Sequence, residues 1–247
     1  MLSEPTTILL TGGTSGIGLA LLHHLHGLGH KLAAVARSPQ TLESLREDNC
    51  RVSTYACDLS EPVSIESTFA RIKSDHPDLS MLINNAAVQH RPHLLAPDFD
   101  GEGIAREVAV NFTAPVKLSH LCLKHFAASR RATAIVNISS GLAFYPKTGA
   151  AVYCASKAAL HSFSQSLRYQ LEGTPVSVIE AILPLVNTPM TAGRGDGRKI
   201  TAMEAADQIV RGIRRGRQEI YVGKARMIPI VARLAPSLLR TMLRRSG

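Results

Sequence analysis

The chain has no tryptophan, and only 4% of its 247 residues are aromatic. Its four cysteines, Cys50, Cys57, Cys122 and Cys154, form no Cys-x-x-Cys pair and no metal-ligand spacing. That excludes a disulfide framework and a zinc site as organising features, and it predicts reduced thiols in a cytoplasmic setting. Ten histidines are present but no His-Glu-x-x-His or comparable set, so no metal is expected, and His23, His24 and His26 read as ordinary helix residues. The N-terminus lacks the basic start of a signal peptide, with Glu4 and Pro5 preceding the first apolar residues. Residues 5–30 lack any Asp, Glu, Lys or Arg, a length that suits a membrane span. Six glycines and four histidines interrupt that stretch, which reads better as strand, tight turn and buried helix.

A chain of this length can bury one sizeable core. Apolar runs at 7–10, 31–36, 52–56, 79–83, 134–138, 176–182 and 219–222 alternate with helical patterns near 15–28, 102–129, 151–172 and 202–215, and another helix starts at Ser60. Continuous apolar strands alternating with helices predict an α/β fold. The expectation is a single Rossmann-type, doubly wound parallel sheet of about seven strands with helices on both faces. Residues 1–225 form the catalytic domain in this reading. Residues 187–200 hold Gly193, Gly195 and Gly197 in a long irregular segment, a candidate mobile lid.

The formal charge of +9 is concentrated at one end. From Arg211 onward there are ten Lys/Arg and one acid, Glu219, whereas residues 1–210 hold eighteen of each sign. Within 226–247, Ile230, Leu234, Leu238 and Met242 recur at helical spacing, Arg233, Arg240 and Arg244 fall on another stripe, and Pro236 interrupts the pattern. Two readings stand: a basic amphipathic tail lying peripherally on an anionic membrane surface, or a segment packed on the body or a partner subunit. Nucleic acid is not an expected partner, because no aromatic residue follows Tyr221 to stack on bases.

The chemistry lies in four places. Thr11-Gly12-Gly13-Thr14-Ser15-Gly16-Ile17-Gly18 directly follows the first strand and opens a helix. Glycines there let backbone approach a pyrophosphate while the helix N-terminus offers free amides. The second strand ends in Ala36-Arg37-Ser38, with no carboxylate to bind a ribose 2′-hydroxyl. Arg37 offers a planar fork for a 2′-phosphate, which predicts NADP (NADPH) over NAD; the alternative is a surface arginine. Tyr153 and Lys157 are one helical turn apart, and Ser140 precedes Tyr153 by thirteen residues. An ammonium about 4 Å from the phenol, at an effective dielectric of about 20, would be worth roughly 4 kcal/mol and would lower the tyrosine pKa.

With Asp58-Leu59, Asn84-Asn85-Ala86, Asn111 and Ser139-Ser140, these motifs resemble the short-chain dehydrogenase/reductase family up to about residue 225. The resemblance implies Asn111, Ser140, Tyr153 and Lys157 as the catalytic set. Tyr153 would be the general acid in reduction, Ser140 would orient the carbonyl, Lys157 would hold the nicotinamide ribose, and Asn111 would hold a relaying water. It implies cofactor contacts from Gly12, Thr14, Ser15, Gly16, Ile17, Gly18, Arg37, Ser38, Asp58, Leu59, Asn85, Ala86, Tyr153, Lys157, Val186 and Thr188. Asp58 would meet the adenine amino group. Two departures stand out: Ala87 replaces a usual glycine, and Leu183-Pro184 replaces a usual Pro-Gly beside the nicotinamide. The chain looks, more loosely, like the oxidoreductases of some bacterial D-alanylation operons.

The implied activity is NADP(H)-dependent interconversion of a carbonyl and a secondary alcohol, in a homodimer or homotetramer. The alternative is a non-catalytic nucleotide sensor or scaffold on the same fold. Phe144, Tyr145, Leu94, Leu95, Val186, Met190 and Met203 suggest a substrate with an apolar portion, and the competing reading is that they pack the lid.

Overall fold

A computed structural model describes residues 2–47, 51–90, 94–95, 100–127, 131–194 and 199–234. Cys50, Gly195, Gly197, Pro236, Leu238, Arg240, Met242 and Arg244 lie outside the described residues.

In chain order the elements are β1 (Thr7–Thr11), α1 (Gly16–Gly27), β2 (Lys31–Ala36), α2 (Pro39–Glu47), β3 (Val52–Ala56), α3 (Pro62–Asp75), β4 (Leu79–Asn84), α4 (Gly101–Val108), α5 (Ala114–Phe126), β5 (Thr133–Ser140), α6 (Ala151–Gln170) and β6 (Val176–Leu183). A two-residue strand β7 (Val186–Asn187) then pairs with β8 (Ile200–Thr201), followed by α7 (Ala202–Arg214), β9 (Glu219–Tyr221) and α8 (Ile228–Leu234). Seven strands form one sheet in the order β3-β2-β1-β4-β5-β6-β9, every pairing parallel.

The strands read as continuous apolar runs because both faces of the sheet are covered. Side chains alternate between two cores. Ile8 and Leu10 pack on one face with Leu21, Leu25, Ile209 and Ile213 of α1 and α7. Leu9 packs on the other with Phe69, Ile72, Leu118, Phe126 and Leu167 of α3, α5 and α6. The strand order reverses between β1 and β4, and that is where open α/β sheets form a crevice at their carboxyl ends. Thr11 and Asn84 terminate those two strands.

The uncharged stretch 5–30 is β1, turn and α1, and among the described residues no helix is long and apolar enough to cross a membrane. Cys57, Cys122 and Cys154 are free and buried.

One expected helix is broken. The pattern near 102–129 divides into α4 and α5 around a wide π-turn, Ala109–Thr113. Pro115 supplies the reason: its ring removes the amide that would bond to the carbonyl of Asn111, four residues back, and crowds that carbonyl. The turn widens so that the amide of Ala114 reaches the carbonyl of Ala109.

The start of the C-terminal segment packs on the body. Ala225 and Ile228 are buried with Ile182, against Phe144, Tyr145, Tyr221 and Val231. A Cβ at Gly141 would lie 2.6 Å from Ile228 Cδ1, so a side chain directly after Ser140 would make Ile228 shift.

Candidate active site

The glycine turn is built around close approach. Gly12 and Gly16 have φ of +69° and +52°, the left-handed region that glycine adopts freely. A Cβ at Gly18 would sit 1.9 Å from the Gly12 carbonyl oxygen, and one at Gly12 would sit 2.9 Å from Ala86 Cα. No side chain caps α1, Ser15 is exposed, and the first turn carries no acid. Its leading amides are left to an anion, as a pyrophosphate requires.

Asn85 ties this turn to β4. Its Nδ2 donates to the carbonyls of Thr11 at 2.9 Å and Gly12 at 3.2 Å, while the amides of Asn85 and Ala86 donate to Thr11 Oγ1, each at 3.0 Å. Thr188 closes the crevice from the lid side: a Cβ at Gly16 would lie 3.2 Å from the Thr188 side chain. The residues present fit a dinucleotide.

At the adenosine end Arg37 is exposed and Ser38 Oγ accepts the amide of Thr41 at the start of α2. Asp58 accepts the Ser60 amide at 2.9 Å and Arg106 Nη2 at 3.0 Å. Burial opposes ionisation of Asp58, but the Ser60 bonds and the Arg106 and Arg37 charges outweigh it and hold the carboxyl below its ordinary range. Arg106 therefore pairs with this carboxylate, and the charge of Arg37 also acts on it. Leu59 is buried in the second core.

Ser140 ends β5, and Tyr153 and Lys157 lie one turn apart near the start of α6. Ser140 Oγ accepts the Leu142 amide at 3.1 Å, and the serine hydroxyl favours ionisation of the Tyr153 phenol. Asn111 is wholly buried in the π-turn. Its amide takes the Val88 amide at 2.8 Å and donates to the Val88 carbonyl at 2.9 Å and Ser156 Oγ at 3.1 Å. The four residues expected to act together thus converge on one end of the sheet.

The expected depression of the Tyr153 pKa is not found. Burial pushes the phenol up to about 12, with Cys154 and Glu107 adding to it, against the Ser140 hydroxyl and the Arg194 charge. The Lys157 ammonium is turned instead to the Ile138 carbonyl, at 2.9 Å, and stands 5.8 Å from the centre of the tyrosine ring. Burial lowers the Lys157 pKa to about 8, against the charge of Glu180.

The residues expected to line the cleft differ in their surroundings. The Val186 side chain belongs to the first core, where β7 pairs with β8. Phe144 and Tyr145 pack with Tyr221 and the C-terminal segment. Leu94, Leu95, Met190 and Met203 are exposed. Leu183 is buried in the first core, and Pro184 rests near Gly223, so the unusual Leu-Pro pair ends β6 without opening it.

Five polar groups escaped the sequence reading. Glu180, fully buried in β6, meets His161 Nδ1 at 2.8 Å. Glu107, fully buried one turn before Asn111, accepts the amide of His90 at 3.1 Å. Gln89 and Arg194 meet across the cleft, Gln89 Oε1 accepting from the Arg194 guanidinium. The signal for Glu180 was a lone charge in an otherwise apolar strand; that for Glu107 and His161 was helical spacing from Asn111 and Lys157.

The short chain dehydrogenase family model matches residues 6–199. The oxidoreductase DltE of Bacillus subtilis is 36% identical over 219 residues, 87% of this chain and 86% of that protein. A fatty acyl-CoA reductase of Acinetobacter baylyi is 30% identical over 238 residues, 93% of this chain and 80% of that one. A short chain dehydrogenase of Burkholderia cenocepacia solved with NADP superposes with a TM-score of 0.85 at 26% identity, covering 97% of this chain and 98% of its own. One from Sphingobium yanoikuyae solved with NADPH gives 0.79 at 27% identity, covering 98% of each. With its parallel seven-stranded sheet, glycine turn and convergent serine, tyrosine and lysine, this chain belongs to the short-chain dehydrogenase/reductase family of NAD(P)-dependent oxidoreductases.

Proposed function

We propose that this protein uses NADP(H) to interconvert a carbonyl and a secondary alcohol, with Asn111, Ser140, Tyr153 and Lys157 as the proton-handling residues. The observation that carries this is the convergence of the end of β5, the π-turn and the first turns of α6: Asn111 Nδ2 donates to Ser156 Oγ at 3.1 Å, Ser156 Oγ to the Tyr153 carbonyl at 2.8 Å, and Lys157 Nζ to the Ile138 carbonyl at 2.9 Å, two residues before Ser140. When bound, the reduced nicotinamide supplies the hydride.

The protein's own residues do the rest. Ser140 and Tyr153 supply two hydroxyl donors, suited to a carbonyl oxygen that gains charge. A phenol held near 12 is fully protonated at neutral pH, so Tyr153 is poised as the acid that protonates the developing alkoxide. Lys157 replenishes that proton, and the Asn111 carbonyl freed by Pro115 is the acceptor that holds a relaying water.

Arg37, exposed and close enough to act on Asp58, supports NADPH over NADH. Exposed Met227, Ile230 and Leu234 on the C-terminal segment support a docking role for it, on a partner subunit or an anionic bilayer. The activity is tested by comparing wild type with Tyr153→Phe for NADPH oxidation against a panel of ketones. The variant should lose turnover and keep NADPH affinity; retained turnover removes Tyr153 from the role.

A further inference from the structure

Gly103, Glu107 and Asn111 follow one another at four-residue spacing from α4 into the π-turn. A short stretch of chain beyond the end of β4, Val88 to His90, is strapped to them. Asn111 holds its start: Oδ1 accepts the Val88 amide at 2.8 Å and Nδ2 donates to the Val88 carbonyl at 2.9 Å. Glu107 holds its end: Oε2 accepts the His90 amide at 3.1 Å and stands 3.5 Å from His90 Nδ1. The imidazole lies over Gly103, where a Cβ would stand 3.6 Å from His90 Cγ.

The strap continues into the helix that carries Tyr153. Asn111 Nδ2 also donates to Ser156 Oγ at 3.1 Å, and Ser156 Oγ donates to the Tyr153 carbonyl at 2.8 Å. Hydrogen bonds and a few residues of backbone therefore link the Glu107 carboxylate, through Val88 and Asn111, to the first turn of α6.

A carboxylate is more than this fastening requires. Glu107 is wholly buried, and its second oxygen, Oε1, has no hydrogen-bond partner among the described residues. A glutamine oxygen would accept the His90 amide without placing a charge in the interior, and a buried charge that is only partly satisfied costs stability. What the carboxylate adds is its charge, which strengthens the bond to the amide and draws the imidazole to the same oxygen. Burial pushes the Glu107 pKa up, against the His90 amide and ring. The titratable and charged groups around it are His90 from the segment after β4, Arg106 beside it on α4 and turned to Asp58, Tyr153 and Cys154 on α6, and Arg194, which is bonded to Gln89.

We propose that Glu107 is a positioning residue for the catalytic set: its charge fixes the segment Val88 to His90 against α4, and through Asn111 and Ser156 it sets where the first turn of α6 presents Tyr153. The inference rests on the reductase reading above and deepens it. It adds to the site a charge that works through Asn111 rather than on the reacting atoms, so its effect falls on kcat.

The test compares wild type with Glu107→Gln and Glu107→Leu, on NADPH and a ketone, from about pH 5 to about pH 8, where a buried carboxylate titrates. Wild-type kcat should fall on the acid side as the carboxylate takes up a proton. Glu107→Gln mimics the protonated acid. It should hold kcat near that acid-side value at every pH, roughly two- to tenfold below the wild-type maximum, and Glu107→Leu should lie at least about tenfold below it. Neither should change KM or NADPH affinity by more than about twofold. A residue that only holds the fold together would lower stability in both variants and leave the shape of the pH profile alone. An acid limb that persists in Glu107→Gln, a glutamine variant with full wild-type kcat, or a loss carried by KM or NADPH affinity overturns the proposal.

A second measurement needs neither turnover nor a folded leucine variant. In isotope-labelled wild type the amide resonances of Val88, His90, Ser156 and Lys157 should shift with one shared midpoint as pH falls, and Glu107→Gln should abolish that shared step. If no ketone is reduced but the amides titrate together, the positioning stands and the reductase reading fails. Amides at Ser156 and Lys157 that take no part in a Glu107 titration sink the positioning alone.

Discussion

Lys157 gives its ammonium to the carbonyl of Ile138 at 2.9 Å, which anchors α6 to the end of β5 next to Ser139 and Ser140. The lysine is buried, and burial brings its pKa to about 8. The folded state therefore prefers the neutral amine more than the unfolded chain does. Below pH about 8 both states carry the proton and the full cost of the buried charge is present. Between about 8 and the unfolded value of 10.5 the unfolded chain binds more protons, so this group makes stability rise with pH. The predicted difference between Lys157→Met and wild type is that the variant loses this rise and is at least as stable at pH 7. Urea unfolding at pH 7 and pH 9.5 checks it, and a wild-type profile shared by the variant would contradict it. Its activity should be lost, since a functional charge is held at the expense of stability.

Fully buried Glu180 pairs with the partly buried His161, and its charge also acts on that lysine. The Glu180 bond raises the His161 pKa above its ordinary value, against burial, with Glu219 adding to the rise and Arg168 opposing it. For a raised histidine, the stabilisation is fully present below the unfolded pKa and is lost as pH climbs through the folded one. Glu180→Gln should move the His161 titration down, followed by NMR of the ring protons. It should also depress the Lys157 pKa further, because the Glu180 charge supports the ammonium. An unmoved His161 titration would show that the pair is not the cause.

The glycine turn predicts a sharp steric effect. Gly18→Ala places a methyl 1.9 Å from the Gly12 carbonyl oxygen and 2.5 Å from Asn85 Nδ2, so the turn must leave its position. NADPH binding should become unmeasurable in a fluorescence titration. Ser15→Ala, by contrast, removes an exposed side chain that caps nothing and should change stability by less than about 0.5 kcal/mol.

A buried polar chain holds the sheet to its helices. Asn84 Nδ2 donates to Asn137 Oδ1 at 2.8 Å, Asn137 Nδ2 donates to Ser164 Oγ at 2.9 Å, and Ser164 Oγ donates to the Leu160 carbonyl at 2.7 Å. Asn137→Leu strands a donor on Asn84 and an acceptor on Ser164, both buried. The expected loss is about 2–4 kcal/mol by chemical denaturation, larger than for a surface substitution. A loss below about 1 kcal/mol would mean the chain rearranges to satisfy itself.

Most of the sheet was legible because each strand is buried on both faces and so reads as an apolar run between turn signals. The glycine turn and the Tyr153–Lys157 pair were legible because their chemistry is local in sequence. The π-turn at Asn111 was not, although Pro115 four residues later carried the cause: a helical pattern records which face is buried, not whether one carbonyl lacks its amide. The direction of the Tyr153 pKa was misread for a related reason. Spacing on one helix face places Lys157 near Tyr153 but says nothing of the Ile138 carbonyl, which belongs to another element. Gln89 and Arg194 are 105 residues apart, and only the fold brings them together.

We propose that the crevice between the glycine turn, Asn85 and Thr188 binds a phosphorylated nicotinamide nucleotide. Titration with NADPH and with NADH, followed by cofactor fluorescence in a chain that has no tryptophan to interfere, tests this most directly. The prediction is saturable NADPH binding at least about tenfold tighter than NADH binding, with Arg37→Ala removing most of the difference. Binding of neither nucleotide would contradict the account at its base.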